Sequence, residues 1–208
     1  MSPVSRREFL GTTGKASAAT ALFGVGAPAT APASKAESVP ASDKVRIGLI
    51  GHGGMGSANL ADFLRLPAVD IAAIAEVDES RLAGGLKTVM DARGKAPAVF
   101  KDFRKLLERQ DVDAVVVSTP DHWHALATIF ACQAGKDVYV EKPMATTIAE
   151  GRAMVAAARR FNRVVQVGTQ RRSMPKVVEA IEKIRGGELG AVRFARGWYT
   201  NTRGSIGR

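Results

Sequence analysis

The chain has 208 residues, 46% hydrophobic and 24% charged, with a single cysteine, Cys132. That composition supports one packed domain and part of another, and it excludes wholesale disorder, an intrachain disulfide and a four-cysteine zinc site. The net charge of +10 is unevenly spread: residues 37–150 hold 13 Lys/Arg against 16 acids, whereas 151–208 hold 13 against three. No aromatic platform or helix-turn-helix pattern accompanies the basic tail, so no nucleic-acid partner is expected. The tail reads instead as one side of a domain whose acidic complement lies outside this chain.

The first residues run Ser5-Arg6-Arg7-Glu8-Phe9-Leu10, followed by a small-residue, weakly apolar stretch over 11–27. Paired arginines followed by Phe-Leu resemble a twin-arginine export signal, and Ala27-Pro28-Ala29 and Ala31-Pro32-Ala33 offer A-x-A cleavage sites. Lys15 and several Gly and Thr interrupt the run, so no stable membrane anchor is expected. The reading is a signal peptide over 1–36, handled by the twin-arginine machinery, a linker over 37–43, and a periplasmic or otherwise extracytoplasmic location. That route carries folded, cofactor-loaded proteins, which suits a chain without disulfides.

Residues 44–50 alternate and then run apolar, as a buried parallel strand does. Gly51-His52-Gly53-Gly54-Met55-Gly56 follows, then a helical pattern over 58–66 stopped by Pro67. A G-x-G-x-x-G string gains meaning from this strand-to-helix context. Gly51 permits the tight turn, Gly53 lets the backbone approach a pyrophosphate, and Gly56 lets helix and strand pack closely. The helix N-terminus offers free N–H groups to the phosphates. A second strand over 70–75 ends at Glu76, 25 residues after Gly51. An acid there accepts from the ribose hydroxyls of NAD and repels the 2′-phosphate of NADP, so NAD is favoured, with Asp78 a rival for the same role.

Further alternation predicts a helix over 79–92, a short strand over 98–100, a helix over 102–109 and a strand over 114–118. A helix over 123–134, a strand over 137–141, a helix over 147–161 and a strand over 164–168 follow. The succession implies an α/β fold: a Rossmann doubly wound parallel sheet over 44–168 with right-handed crossovers. Residues 169–208 read as the beginning of a second α/β domain, with a helix over 175–185 and one strand over 192–198.

Ligands of such sheets bind at the carboxyl ends of the strands. The three histidines, His52, His122 and His124, all fall just past a strand end. The H-x-H pair points two ways on a helix and has no evident cysteine or carboxylate partner, so no metal site is expected. Thr119-Pro120 would pass the cofactor, with His122 and His124 nearby. After the fifth strand comes Glu141-Lys142-Pro143, in which proline holds Lys142 extended and allows a cis peptide. A lysine there can hydrogen-bond a substrate hydroxyl and stabilise the alkoxide that forms as hydride leaves.

The ordered set of Gly51 to Gly56, Thr119-Pro120-Asp121-His122-Trp123-His124, Glu141-Lys142-Pro143 and Val167-Gly168-Thr169-Gln170-Arg171-Arg172 resembles one family over about residues 44–200. This is the family of glucose–fructose oxidoreductase, inositol dehydrogenase and rhizopine-catabolism proteins (Gfo/Idh/MocA). The resemblance implies an NAD(P)-dependent oxidoreductase acting on a sugar or polyol, in its twin-arginine-exported branch. Lys142 becomes the lysine of the EKP motif, contacting cofactor and substrate, with Met55, Glu141, Gln170 and Arg171 also at the cofactor cleft. It further implies a second domain carrying the acid–base partner, so this chain reads as C-terminally truncated, binding NAD but turning over poorly. One branch of the family uses held NAD to cleave glycosides, and there the EKP lysine is typically absent. A non-catalytic nucleotide-binding fragment is the remaining alternative, and a homo-oligomer stays open.

Overall fold

The computed structural model describes residues 43–198. The described residues fall in two compact units that divide between Gly168 and Thr169. The signal, the cleavage sites and most of the linker lie outside the described residues.

The first unit alternates strand and helix throughout. It runs β1 (Val45–Ile50), α1 (Gly54–Leu64), β2 (Val69–Ala75), α2 (Glu79–Arg93), β3 (Ala98–Phe100) and α3 (Phe103–Leu107). It continues through β4 (Ala114–Val117), a 3-10 turn (Asp121–Trp123), α4 (His124–Gln133), β5 (Asp137–Glu141), α5 (Ile148–Arg160) and β6 (Val165–Gly168). The six strands form one sheet in the order β3-β2-β1-β4-β5-β6, and every pairing is parallel. This is the doubly wound arrangement that the alternation predicts.

Two cores lie on the two faces of the sheet. Along β1, Ile47 and Leu49 join Leu60 of α1 and Val89 of α2 in one cluster. Ile50 joins Leu106 of α3, Ala127 and Ala131 of α4 and Met154 of α5 in the other. The central strand β4 divides in the same way, with Val116 in the first cluster and Val115 and Val117 in the second. Burial on both faces explains why these strands read as apolar runs and not as a polar–apolar alternation.

Local chemistry sets the helix ends. Asp78 caps α2 by accepting from the Ser80 and Arg81 amides, and Gly94, with a positive φ, closes it. Asp102 caps α3, and Thr147 with Glu150 forms a reciprocal capping box on α5. The first helix departs from expectation. It begins at Gly54 and ends at Leu64, because the glycines themselves supply its first turn while Leu66 stands before Pro67 and is biased away from helix.

The second unit contains a 3-10 turn (Gln170–Ser173) and α6 (Pro175–Arg185), which starts on proline as the sequence suggests. The strand expected over 192–198 is not formed among the described residues. An isolated strand has no ladder partner to satisfy its backbone, and Val192, Phe194 and Trp198 stand exposed.

Candidate nucleotide cleft at the strand tips

Register brings the motifs to one edge. Ile50 pairs with Ala75 on one side and Val117 on the other, and Val117 pairs with Val140. Gly51, Glu76, Ser118 and Glu141 therefore leave their strands at nearly the same level. The Gly51 amide donates to Ala75 O and the Ser118 amide to Ile50 O, both at 2.8 Å. This edge is where the strand order reverses between β1 and β4, the switch point of a doubly wound sheet.

The three glycines have separable reasons. Gly51 has φ +91°, and a Cβ there would stand 2.8 Å from the Thr119 amide nitrogen. A Cβ on Gly56 would overlap the Gly51 carbonyl oxygen, so turn and helix touch directly at that point. A Cβ on Gly53 meets nothing nearer than the Arg81 guanidinium at 3.8 Å. The first two are demanded by packing, whereas Gly53 borders open space. Among the described residues no side chain caps α1, and no acid stands in its first turn. Its leading amides are left for an outside acceptor, in contrast to the capped α2, α3 and α5. Met55 is exposed on this same turn.

Glu76 is buried, and both its oxygens are engaged. Oε2 accepts the His52 amide at 2.7 Å and Oε1 accepts the Asp78 amide at 3.1 Å. A carboxylate has about four acceptor positions, so capacity for hydroxyl donors remains. The two acids that the sequence left as rivals differ in setting: Asp78 is exposed and caps α2 through Oδ1, whereas Glu76 is buried against the glycine turn. Both nitrogens of the His52 ring have neighbours within the fold: Nδ1 lies 3.0 Å from Arg81 O and Nε2 lies 3.2 Å from Ser57 Oγ.

Past β4, Pro120 and His122 are exposed, and the Thr119 hydroxyl is buried without a partner among the described residues. His124, only 2% exposed, sets Nε2 2.8 Å from Thr119 O and Nδ1 2.7 Å from Pro143 O. It thus bridges the loops after β4 and β5. A neutral imidazole has one N–H to give, so both ties are full hydrogen bonds only when both nitrogens carry hydrogen. Among the described residues no group of three or more His, Cys, Asp or Glu is arranged to hold a metal ion.

Past β5, Glu141 is 3% exposed. Its Oε1 accepts from Asn59 Nδ2 at 3.1 Å, and its Oε2 accepts the Lys142 amide at 3.2 Å. Lys142 itself is exposed and precedes Pro143 through a cis peptide. Asn59 also donates to Ser118 Oγ at 3.0 Å. Neither Asn59 nor Ser118 stands out in the motifs. The available signal was a polar residue on the buried stripe of α1, beside Leu60 and one turn before Phe63. Gln170 and Arg171 belong to the second unit, where both are exposed on its 3-10 turn.

A parallel sheet with an uncapped, glycine-led helix at its switch point and an acid beside that turn defines a dinucleotide-binding protein of the Rossmann class. The chain matches the GFO_IDH_MocA oxidoreductase family, NAD-binding Rossmann fold, over residues 45–169, and it belongs to that family. It is 34% identical over 162 residues to inositol 2-dehydrogenase of Rubrobacter xylanophilus, a match covering 77% of this chain and 45% of that protein. It is 33% identical over 174 residues to a glycosyl hydrolase family 109 protein of Shewanella baltica, covering 77% of this chain and 38% of that one. Among solved structures, the WlbA dehydrogenase from Bordetella pertussis in complex with NADH and UDP-GlcNAcA superposes with a TM-score of 0.61 at 26% identity. That match covers 71% of this chain and 43% of that one. The chain spans less than half the length of these relatives.

Proposed function

We propose that this chain binds NAD across the strand tips and serves a dehydrogenase that moves hydride between the nicotinamide and a carbinol of a sugar or polyol. The observation that carries the reading is the first turn of α1, uncapped, free of acids and bordered by the open face of Gly53. Those amides suit a pyrophosphate. Glu76 favours NAD over NADP, since a buried carboxylate beside the adenosine ribose would repel a 2′-phosphate.

The bound nicotinamide supplies the hydride acceptor. Lys142 would donate a hydrogen bond to the substrate hydroxyl and stabilise the alkoxide, the hydroxyl proton passing to the acid–base partner that the family resemblance puts in a second domain. The Lys142 main-chain amide donates to Glu141 Oε2, which ties the lysine's backbone to the buried carboxylate. The sugar or polyol class is supported by the names of the relatives, one an inositol dehydrogenase and another bound to a nucleotide sugar. Export through the twin-arginine machinery to the periplasm rests on Arg6-Arg7 and the residues after them. A reporter fused to residues 1–40 that stays in the cytoplasm would refute it.

A second reading, an NAD-assisted glycoside hydrolase, is favoured by the glycosyl hydrolase family 109 relative. The Glu141-Lys142-Pro143 string speaks for the dehydrogenase. The tests separate cleanly. Calorimetry with NAD and NADP tests the cofactor site, and failure to bind either ends both readings. In a protein of the relatives' length, Lys142→Ala should keep NADH binding and lose polyol-dependent NADH formation. Release of nitrophenol from chromogenic glycosides would instead favour the hydrolase.

A further inference from the structure

Three loops meet at the strand tips, and one side chain reaches two of them from the third. Asn59 sits on α1, three residues beyond Gly56, and its amide nitrogen carries two hydrogens. It donates to Ser118 Oγ at the end of β4 and to Glu141 Oε1 at the end of β5, 59 and 82 residues away in sequence. All three residues are at least nine-tenths buried. The other Glu141 oxygen accepts the Lys142 amide, so the chain of contacts runs from α1 through Glu141 to Lys142.

A buried carboxylate without donors is costly, so Glu141 keeps this geometry only while its donors are in place. Thr119 follows Ser118 directly, and the glycine turn feeds the helix that bears Asn59. The same amide therefore sets the spacing between the pyrophosphate turn and the lysine. We propose that Asn59 is a positioning residue of the cofactor cleft, acting through Ser118 and Glu141 to hold the glycine turn, Thr119 and Lys142 in register. The inference rests on the reading of this cleft as an NAD site.

The Tyr139 phenol is pushed up first by burial and then by the Glu141 charge, and His124 ties the same two loops through Thr119 O and Pro143 O in wild type and variant alike. The phenol stays neutral throughout the physiological pH range. Lys142 is the cation nearest in sequence.

The test replaces Asn59 in the full chain and measures NAD affinity by calorimetry from pH 5.5 to 8.5. Asn59→Asp places a second carboxyl group about 3 Å from Glu141, and two such groups cannot both ionise cheaply. When one proton is shared, the new carboxyl donates its single O–H to Glu141, and the Ser118 hydroxyl can turn to donate to its other oxygen. When it leaves, the two repel. The expected result is near-wild-type affinity at the acid end and a loss approaching tenfold per pH unit as the shared proton leaves, against a flatter wild-type profile. Asn59→Leu, which cannot donate, should bind weakly at every pH.

Should Asn59→Leu fail to fold, the acid-end Asn59→Asp protein supplies the folded comparison. Superimposable wild-type and Asn59→Asp profiles would overturn the proposal. So would a change in melting temperature with affinity untouched, which marks Asn59 as structural only. Wild-type protein that ignores NAD at all pH values defeats the underlying cofactor reading itself, and the two failures are distinct.

Discussion

The Glu76 carboxylate accepts the His52 amide at 2.7 Å, so the acid at the tip of β2 grips the glycine turn at the tip of β1. Conformation of the turn and charge beside it are supplied by one residue. Glu76→Ala frees the His52 amide and removes the charge together. A hydrogen bond to a charged group is worth about 1.5–3 kcal/mol, so NADH affinity should fall by roughly 10- to 100-fold. Glu76→Gln keeps an acceptor for the amide but not the charge, and should narrow the preference for NAD over NADP. Fluorescence titration of both nucleotides reads these effects.

The glycines of the turn should divide by kind of damage. Gly56→Ala forces a methyl group into the Gly51 carbonyl and should cost about 1–3 kcal/mol in urea denaturation. Gly53→Ala meets open space and should stay within about 0.5 kcal/mol of wild type, yet weaken NADH binding. Equal loss of stability in both would contradict the packing described for the turn.

Cys132 is fully buried among Ala127, Ala131 and the second core, and burial pushes its thiol up. Alkylation at neutral pH should therefore be at least about a hundredfold slower in the native protein than in urea, since it waits for local opening. Mass spectrometry after timed iodoacetamide treatment gives the ratio. Equal rates would show that α4 is not packed as described.

Asp102 is held at about 2, chiefly by the Arg104 side chain and then by the Arg104 amide. A depressed carboxyl stabilises the fold above its unfolded value and loses that contribution as pH falls through the folded one. Wild-type and Asp102→Asn melting temperatures should differ near pH 5 and converge towards pH 2. A constant gap would mean that the carboxylate charge contributes nothing there.

The strands were legible because two-sided burial writes apolar runs such as Ala114 to Val117, and the runs of β2, β4 and β5 meet a polar residue at the tip. The cofactor turn was legible because glycine is demanded at Gly51 and Gly56 by contacts that any Cβ would break. What single positions could not reveal was the division of labour among polar residues. Asp78 and Glu76 look alike in sequence, and the fold makes one an exposed helix cap and the other a buried anchor of the glycine turn. His124 reads as a cofactor contact, and nothing in the sequence tells that its ring lies between two main-chain carbonyls. Asn59 was silent because its two partners are contributed by strands far along the chain. The expected strand over 192–198 failed for a related reason, since apolar alternation gives a strand its face but not its neighbour.

The bridge made by His124 also sets it apart from His122 in its expected behaviour towards diethyl pyrocarbonate. His122 lies open and should be acylated at once. His124, enclosed with both nitrogens facing oxygen, should react only when the walls it joins move apart. The lag between the two modifications would then be a clock for the opening of the cleft, readable without any nucleotide present.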